Sequence, residues 1–79
     1  MKNTDKYKKI FVECLSLDNK DFKENLKYND VPEWDSIGHM TLMSGLEEGF
    51  EISLETDDIV DFSSYKKGIE ILTKYKINF

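Results

Sequence analysis

The sequence predicts an all-α fold: a small four-helix bundle with three main helices, a short third helix and a long loop between helices one and two. Three observations predict it. Apolar residues recur at three- and four-residue steps in separate segments, helix-capping residues precede those segments, and the only proline, Pro32, lies in the one long stretch without that periodicity. The 79 residues, 39% of them hydrophobic, supply one small core, so we assign a single domain to residues 1–79.

The first predicted helix covers about residues 4–16, with apolar side chains on one side and lysines on the other. Residues 17–35 have weak periodicity but hold several apolar side chains, among them Trp34. We therefore predict a long loop that these side chains anchor, with a short helical turn near 20–26. Trp34 either packs the end of this loop against the bundle or contacts an entering partner. Loops of this length are unusual in a small domain and are often functional.

The second predicted helix begins sharply at Asp35 and Ser36, because both residue types are preferred N-caps and Pro32 discourages an earlier start. Apolar residues then recur with helical spacing, which predicts one buried stripe along this helix. The stripe consists of Ile37, Met40, Met43, Leu46 and Phe50, with Leu42 beside it.

Two further helices are predicted after a short connection. Thr56 is expected to cap a brief third helix whose acidic residues lie in the first turn, where the helix dipole favours them. Ser63 or Ser64 is expected to cap a fourth helix. The apolar residues of that fourth helix are Tyr65, Ile69, Leu72 and Tyr75.

The charged residues are unevenly distributed along the chain. The 11 basic residues are all Lys, and against 16 acidic residues they give a net charge of −5. Residues 28–64 contain ten of the acids and no Lys, whereas the segments before and after carry net charges of +2 and +3. Nucleic-acid binding, which depends on Lys and Arg contacts with phosphate, is therefore disfavoured, and a basic protein partner is the natural complement.

The sequence lacks the signals of several other functional classes. Apolar runs are only a few residues long and the lysine-rich N-terminus leads into no apolar segment, so we expect no membrane span, no secretory signal and a cytoplasmic protein. The single cysteine, Cys14, and the single histidine, His39, provide neither a disulfide, nor a Cys/His zinc site, nor the usual Ser/His/Asp arrangement. We therefore expect that the chain is not an enzyme.

Ser36 has a special setting for a hydroxyl group. Its predicted position is the first of a helix, behind an aspartate and a long loop, where it is exposed. A phosphate attached to it would meet free backbone N–H groups and the positive end of the helix dipole, so the position suits a phosphate ester. The dipeptide by itself, however, is most often just a helix cap.

Around this serine the sequence resembles the acyl carrier proteins and their relatives, the peptidyl and D-alanyl carriers. Residues 34–37, Trp-Asp-Ser-Ile, are similar to the Asp-Ser-Leu signature of that family. Residues 46–54, Leu-Glu-Glu-Gly-Phe-Glu-Ile-Ser-Leu, are similar to its downstream pattern Leu-Glu-Glu-x-Phe-x-Ile-x-Leu. Length, acidity, the long first loop and the short third helix are similar too, so the resemblance covers essentially the whole chain.

The resemblance implies that a phosphopantetheinyl transferase attaches the 4′-phosphopantetheine of coenzyme A to Ser36, and that Asp35 assists through the metal used in that transfer. A loading ligase then attaches an acyl or aminoacyl group as a thioester to the thiol of this arm, and the carrier presents that group to downstream transferases. By the same resemblance, helix two and the short third helix form the surface that partners recognise. The residues assigned to that surface are Met40, Glu47, Glu48, Asp57, Asp58 and Asp61.

The chain departs from carriers of bacterial fatty-acid synthesis early in helix two, where residues 38–41, Gly-His-Met-Thr, include no acid. We therefore favour a specialised carrier over the housekeeping fatty-acid carrier. His39 either contacts a partner or simply faces solvent. The stripe of Met40, Met43 and Leu46 is either plain core or the lining of a cavity for a short acyl chain.

Two functions of other classes stay open. One is an unmodified helical interaction module that docks through its acidic helix, and the other is a small metal buffer that binds divalent ions weakly at Asp57, Asp58 and Asp61. Because no apolar stripe is expected on the surface, we predict a monomer. Charge reversal at Glu47 and Glu48 is expected to slow loading by partners at low salt and to leave the fold intact.

Overall fold

The computed structural model describes residues 2–79, at Asn19 the backbone alone. Over this range the chain is all-helical, which confirms the predicted fold class. The bounds of the helices are Asn3–Cys14 for α1, Ser36–Phe50 for α2, Thr56–Asp61 for α3 and Tyr65–Lys74 for α4, with a 3₁₀ turn at Asn19–Asp21. No helix among these residues has both the length and the apolarity to cross a bilayer.

The last two helices differ in how they start, because only α4 has a side-chain cap. Ser64 rather than Ser63 caps α4, because its hydroxyl accepts a backbone N–H of the first turn at 3.0 Å. The prediction that Thr56 caps α3 is wrong: Glu55 is the N-cap residue, without a side-chain hydrogen bond, and Thr56 is the first helical residue. The helical turn predicted near residues 20–26 is shorter and lies earlier.

The long loop between α1 and α2 is held against the connection between α3 and α4. The Tyr28 N–H donates to the Ser63 carbonyl oxygen at 2.9 Å. The Tyr65 N–H donates to the Leu26 carbonyl oxygen at the same distance. Leu26 is buried, and Trp34 at the end of the loop is 0% exposed. The prediction that apolar side chains anchor this loop is therefore confirmed, and Trp34 is one of the anchors.

Aromatic side chains from α1, the loop and α4 meet in the core. The ring of Phe11 is fully buried and contacts Trp34 and Tyr65 edge to face, with centroid distances of 5.0 and 5.1 Å. The Tyr7 hydroxyl donates a hydrogen bond to the Tyr65 carbonyl oxygen at 2.7 Å, so its polar end is satisfied inside the core. Because burial of one such side chain stabilises the fold by about 1.5–3 kcal/mol, these contacts fix the loop to α1 and α4.

Glycines on α2 let α1 approach closely. A Cβ atom at Gly45 would collide with Sγ of Cys14, and one at Gly49 would lie 2.5 Å from Cδ1 of Ile10. The two glycines are four residues apart, so both lie on the helix face that contacts α1. Close packing therefore accounts for the low-propensity residue Gly45, whereas at Gly49 the nearest atom is the movable end of the Ile10 side chain.

Candidate functional site

Ser36 is the first residue of α2, and its side chain is exposed. Asp35 precedes it in an extended conformation and caps the helix, since its Oδ1 accepts a hydrogen bond from the Gly38 N–H at 2.8 Å. The predicted start of helix two is thus confirmed. The N–H groups of the first turn and the positive end of the helix dipole make this a favourable electrostatic setting for an anion.

Gly38 lets the loop backbone pass close to this first turn. A Cβ atom at position 38 would collide with the carbonyl oxygen of Glu33 and would lie 3.2 Å from Cδ2 of Leu15. The path of the loop therefore requires a glycine here, and the absence of an acid at this position has a structural reason.

The hydroxyl of Tyr28 lies 3.1 Å from Oγ of Ser36, and either oxygen can donate the hydrogen bond. Tyr28 belongs to the long loop, eight residues before Ser36. No sequence pattern singles it out, because the loop lacks periodicity and nothing local indicates which of its side chains reaches α2. It is the residue of this site that sequence reasoning missed.

His39 is half-buried and hydrogen-bonded on both sides, so the expectation that it simply faces solvent is wrong. Its Nδ1 accepts from the Trp34 Nε1–H at 2.9 Å, and its Nε2 lies 2.9 Å from the Ile59 carbonyl oxygen. An indole N–H can only donate and a carbonyl oxygen can only accept, so the imidazole carries its proton on Nε2 and none on Nδ1. His39 thereby joins the end of the long loop to α3.

A pocket of about 300 Å³ opens beside Ser36, where α2 faces α3 and the start of the connection to α4. The side chains of Met40 and Val60 at this pocket are 54% and 75% exposed, and that of Ile37 is 79% exposed. We call Ile37, Met40 and Val60 the apolar patch. The residues that line the pocket are Tyr28, Ser36, His39, Met40, Ile59, Val60, Phe62 and Ser63.

The apolar patch corrects the predicted stripe of helix two. Ile37 and Met40 belong to that stripe, yet both are exposed, because α2 turns the face of Leu42 and its two α1-contacting glycines inward. Met43 and Leu46 are fully buried core residues, so of the three candidate cavity residues only Met40 borders the pocket. The expectation of a surface without an apolar stripe, on which the predicted monomer rests, is wrong at this end of the molecule.

The acids assigned to the partner surface differ in what they contact. Glu48, Asp57 and Asp61 are exposed, as the assignment requires. Glu47 is half-buried, and its Oε2 accepts a hydrogen bond from the Leu54 N–H at 2.8 Å. The Glu47 carboxylate therefore closes the turn that follows α2, which gives it a role in the fold.

Asp58 is buried, which corrects its assignment to an exposed acidic surface. Its carboxylate accepts hydrogen bonds from the Lys74 ammonium and the Tyr75 hydroxyl, both at 2.5 Å, and so joins α3 to the end of α4. The hydrogen bond from Lys74, followed by that from Tyr75, lowers the pKa of Asp58. Among the described residues, no group of three or more His, Cys, Asp or Glu side chains is placed to hold a metal ion, so Asp57, Asp58 and Asp61 do not form one.

No protein-family model matches this chain, and no curated protein matches it either. What the site can do chemically is therefore judged from its own residues: an exposed hydroxyl at a helix start, a tyrosine hydroxyl within hydrogen-bond distance, and an apolar pocket beside both.

Proposed function

We propose that the protein is a carrier whose Ser36 bears 4′-phosphopantetheine, and that it presents an acyl or aminoacyl group to partner enzymes in the cytoplasm. The observation that carries the proposal is the exposed Ser36 hydroxyl at the first turn of α2, directly beside an apolar pocket. The similarity of residues 34–37 and 46–54 to the carrier signature supports the same function. As a carrier, the chain would supply tethering and recognition, and the partner enzymes would supply the catalytic groups.

The residues around Ser36 suit both parts of the phosphopantetheine group. A phosphodiester at Oγ would lie at the N-terminus of a 15-residue helix, where N–H groups and the helix dipole favour an anion. The pantetheine part mixes amides with methyl and methylene groups, and the pocket offers apolar side chains such as Met40 and Val60. Asp35 uses one carboxylate oxygen as the helix cap, and its second oxygen would bind the metal ion of the transferase.

Attachment of the arm needs coenzyme A and a phosphopantetheinyl transferase. The Oγ of Ser36 attacks the β-phosphorus of coenzyme A, so that the Oγ–P bond forms while the P–O bond to the departing 3′,5′-ADP breaks. The hydroxyl proton passes to a base of the transferase. The arm ends in a thiol, whose ordinary pKa of about 8.5 makes its ester a better acyl donor than an oxygen ester.

The proposed surface for partner enzymes combines the apolar patch with exposed acids on α2 and α3. Apolar contacts beside Ser36 would contribute affinity, and Glu48, Asp57 and Asp61 would speed the encounter with a basic partner. The first turns of α2, residues 36–41, contribute no acid of their own. Carriers of bacterial fatty-acid synthesis usually bear acids in this part of helix two. Their absence here favours a specialised carrier with its own loading ligase over the housekeeping carrier of fatty-acid synthesis.

Incubation with coenzyme A and several phosphopantetheinyl transferases tests the proposal, with intact mass as the readout. The native chain should gain one phosphopantetheine group, and Ser36→Ala should gain none while its helicity by circular dichroism is unchanged. Ser63→Ala is the matched control, because Ser63 lines the same pocket but does not begin a helix, and it should be modified normally. A native chain that gains no group from any transferase would defeat the proposal.

An unmodified interaction module is the second candidate function, and the exposure of the apolar patch favours it. Exposed apolar side chains suit a docking surface whether or not Ser36 is modified. Such a module would need no coenzyme A to bind its partner. The native chain and Ser36→Ala would then bind that partner with the same affinity. A carrier would instead accept an acyl or aminoacyl group from a ligase only after the arm has been attached.

A further inference from the structure

We propose that Tyr28 is the positioning residue for Ser36: its hydroxyl first orients Oγ for phosphoryl transfer and afterwards donates a hydrogen bond to the phosphodiester. The inference rests on the proposed carrier function and adds a residue outside the signature to its site. The Tyr28 hydroxyl lies 3.1 Å from Oγ of Ser36, within hydrogen-bond distance.

Contacts of both its backbone and its ring hold Tyr28 in place. Its N–H donates to the Ser63 carbonyl oxygen at 2.9 Å, which ties this part of the loop to the start of the α3–α4 connection. Its ring contacts Trp34 and His39 edge to face, with centroid distances of 6.1 and 5.5 Å. A tyrosine side chain has only two rotatable χ angles, so these contacts define where its hydroxyl lies.

The two rings that hold Tyr28 are themselves immobilised. Trp34 is 0% exposed and donates its indole N–H to His39, which in turn contacts the Ile59 carbonyl oxygen. The loop and α2 therefore hold Tyr28 directly, α3 supports it through His39, and the Tyr28 hydroxyl is directed at Ser36. A rigid second residue of this kind is what a precisely oriented nucleophile requires.

The hydrogen bond suits the serine both before and after modification. The Ser36 oxygen has two lone pairs and one proton: one lone pair can accept from Tyr28, the other attacks phosphorus, and the proton leaves to the base of the transferase. After transfer the oxygen is an ester oxygen without a proton. The Tyr28 O–H can then donate to it or to a charged phosphate oxygen, and hydrogen bonds to charged acceptors are the stronger ones.

Tyr28→Phe tests the proposal, because it removes the hydroxyl and keeps the ring contacts. In the transferase assay we expect kcat to fall by about three- to tenfold, the worth of one hydrogen bond, with KM nearly unchanged. In the modified protein we expect the ³¹P resonance of the phosphodiester to shift. In the unmodified protein, the Ser36 Hα–Hβ couplings should change from those of one rotamer to an average.

Tyr75→Phe is the matched control, since its hydroxyl also donates to an oxygen acceptor, Asp58, but makes no hydrogen bond with Ser36. It should leave the ³¹P resonance, the kcat of transfer and the Ser36 couplings unchanged. If Tyr28→Phe behaves like Tyr75→Phe in these three measurements while the native chain is modified, the positioning role is refuted and the carrier function stands. If the native chain is not modified at all, both proposals fall.

Discussion

The Trp34 indole N–H and Nδ1 of His39 form a hydrogen bond of 2.9 Å, and the two ring planes are nearly parallel, with an interplanar angle of 19°. Trp34 ends the long loop and His39 lies one turn into α2, so this pair fixes the geometry on both sides of Ser36. The other ring nitrogen of His39 contacts the Ile59 carbonyl oxygen and extends the connection to α3. His39, for which the sequence left both a partner contact and plain solvent exposure open, is therefore a junction of three segments.

His39→Ala should destabilise the protein by about 1–3 kcal/mol, because it leaves the buried indole N–H of Trp34 without its acceptor. Chemical denaturation followed by the fluorescence of Trp34, the single tryptophan, measures the change. His39→Asn is the informative comparison, since its side-chain oxygen can take the place of Nδ1 and should restore part of the loss. Equal stability of the native chain and His39→Ala would show that the hydrogen bond contributes nothing.

Gly38→Ala should destabilise the fold by about 1–2 kcal/mol, because the new methyl group meets the backbone carbonyl of Glu33, which cannot move without shifting the loop. Gly49→Ala adds the same methyl group to the same helix, but there it meets the flexible end of Ile10. We expect the free energy of unfolding of Gly49→Ala to stay the same or to rise by up to about 1 kcal/mol, because alanine has the higher helix propensity. Thermal unfolding of both variants checks the contrast, and an equal loss at the two positions would contradict it.

The hydrogen bonds of Asp58 should make stability depend on pH in the acid range. They lower the pKa of Asp58 in the folded state below its unfolded value, which is about 3.9, so the stabilisation is present above that pH and is lost as the pH falls through the folded pKa. Asp58→Asn removes this titration, and its free energy of unfolding should fall less steeply below about pH 4 than that of the native chain.

Urea denaturation of both proteins at a series of pH values measures that difference. Tyr75→Phe removes one of the two donors and should give an intermediate slope, because the Lys74 contact remains. Identical slopes for the native chain and Asp58→Asn would mean that the Asp58 carboxylate has the same pKa in the folded and unfolded states.

Charge reversal should have different effects at the two neighbouring glutamates of α2, Glu47 and Glu48. Glu47→Lys should cost about 1 kcal/mol of stability, because the Leu54 N–H loses its acceptor, so we expect charge reversal to leave the fold unperturbed only at Glu48. Glu48→Lys should keep its stability and reduce kcat/KM of the transferase roughly threefold or more at low salt. The reduction should disappear near 1 M salt, where the Debye length is about 3 Å.

Glu70→Lys is the control for Glu48→Lys, because it makes the same charge change on the exposed surface of α4. It loses an exposed ion pair of little worth with Lys67 and adds a like charge one turn from Lys66 and Lys74, so stability should fall by less than about 1 kcal/mol. If Glu70→Lys slows the transferase as much as Glu48→Lys does, the effect is one of net charge and no acidic docking surface exists on α2.

The start of α2 at Ser36 could be predicted from the sequence, because the interactions that define it are local. Asp35 caps the Gly38 N–H three residues on, and this cap recurs wherever the same residue types meet a helical stretch. The four helices and the anchored loop follow from similar short-range patterns. Thr56 is the exception among the caps, since it is the first helical residue of α3 and the N-cap residue, Glu55, makes no side-chain hydrogen bond.

By itself, the sequence determined the helical class, the position of the exposed hydroxyl and the acidic middle of the chain, since helical periodicity and capping depend on residues within about four positions. Only the tertiary structure decided which side chains meet at Ser36. Tyr28 reaches it through an aperiodic loop, and Asp58 finds its partners on another helix. Contacts of this kind depend on the path of the backbone between the partners, and that path is set by packing of the whole core.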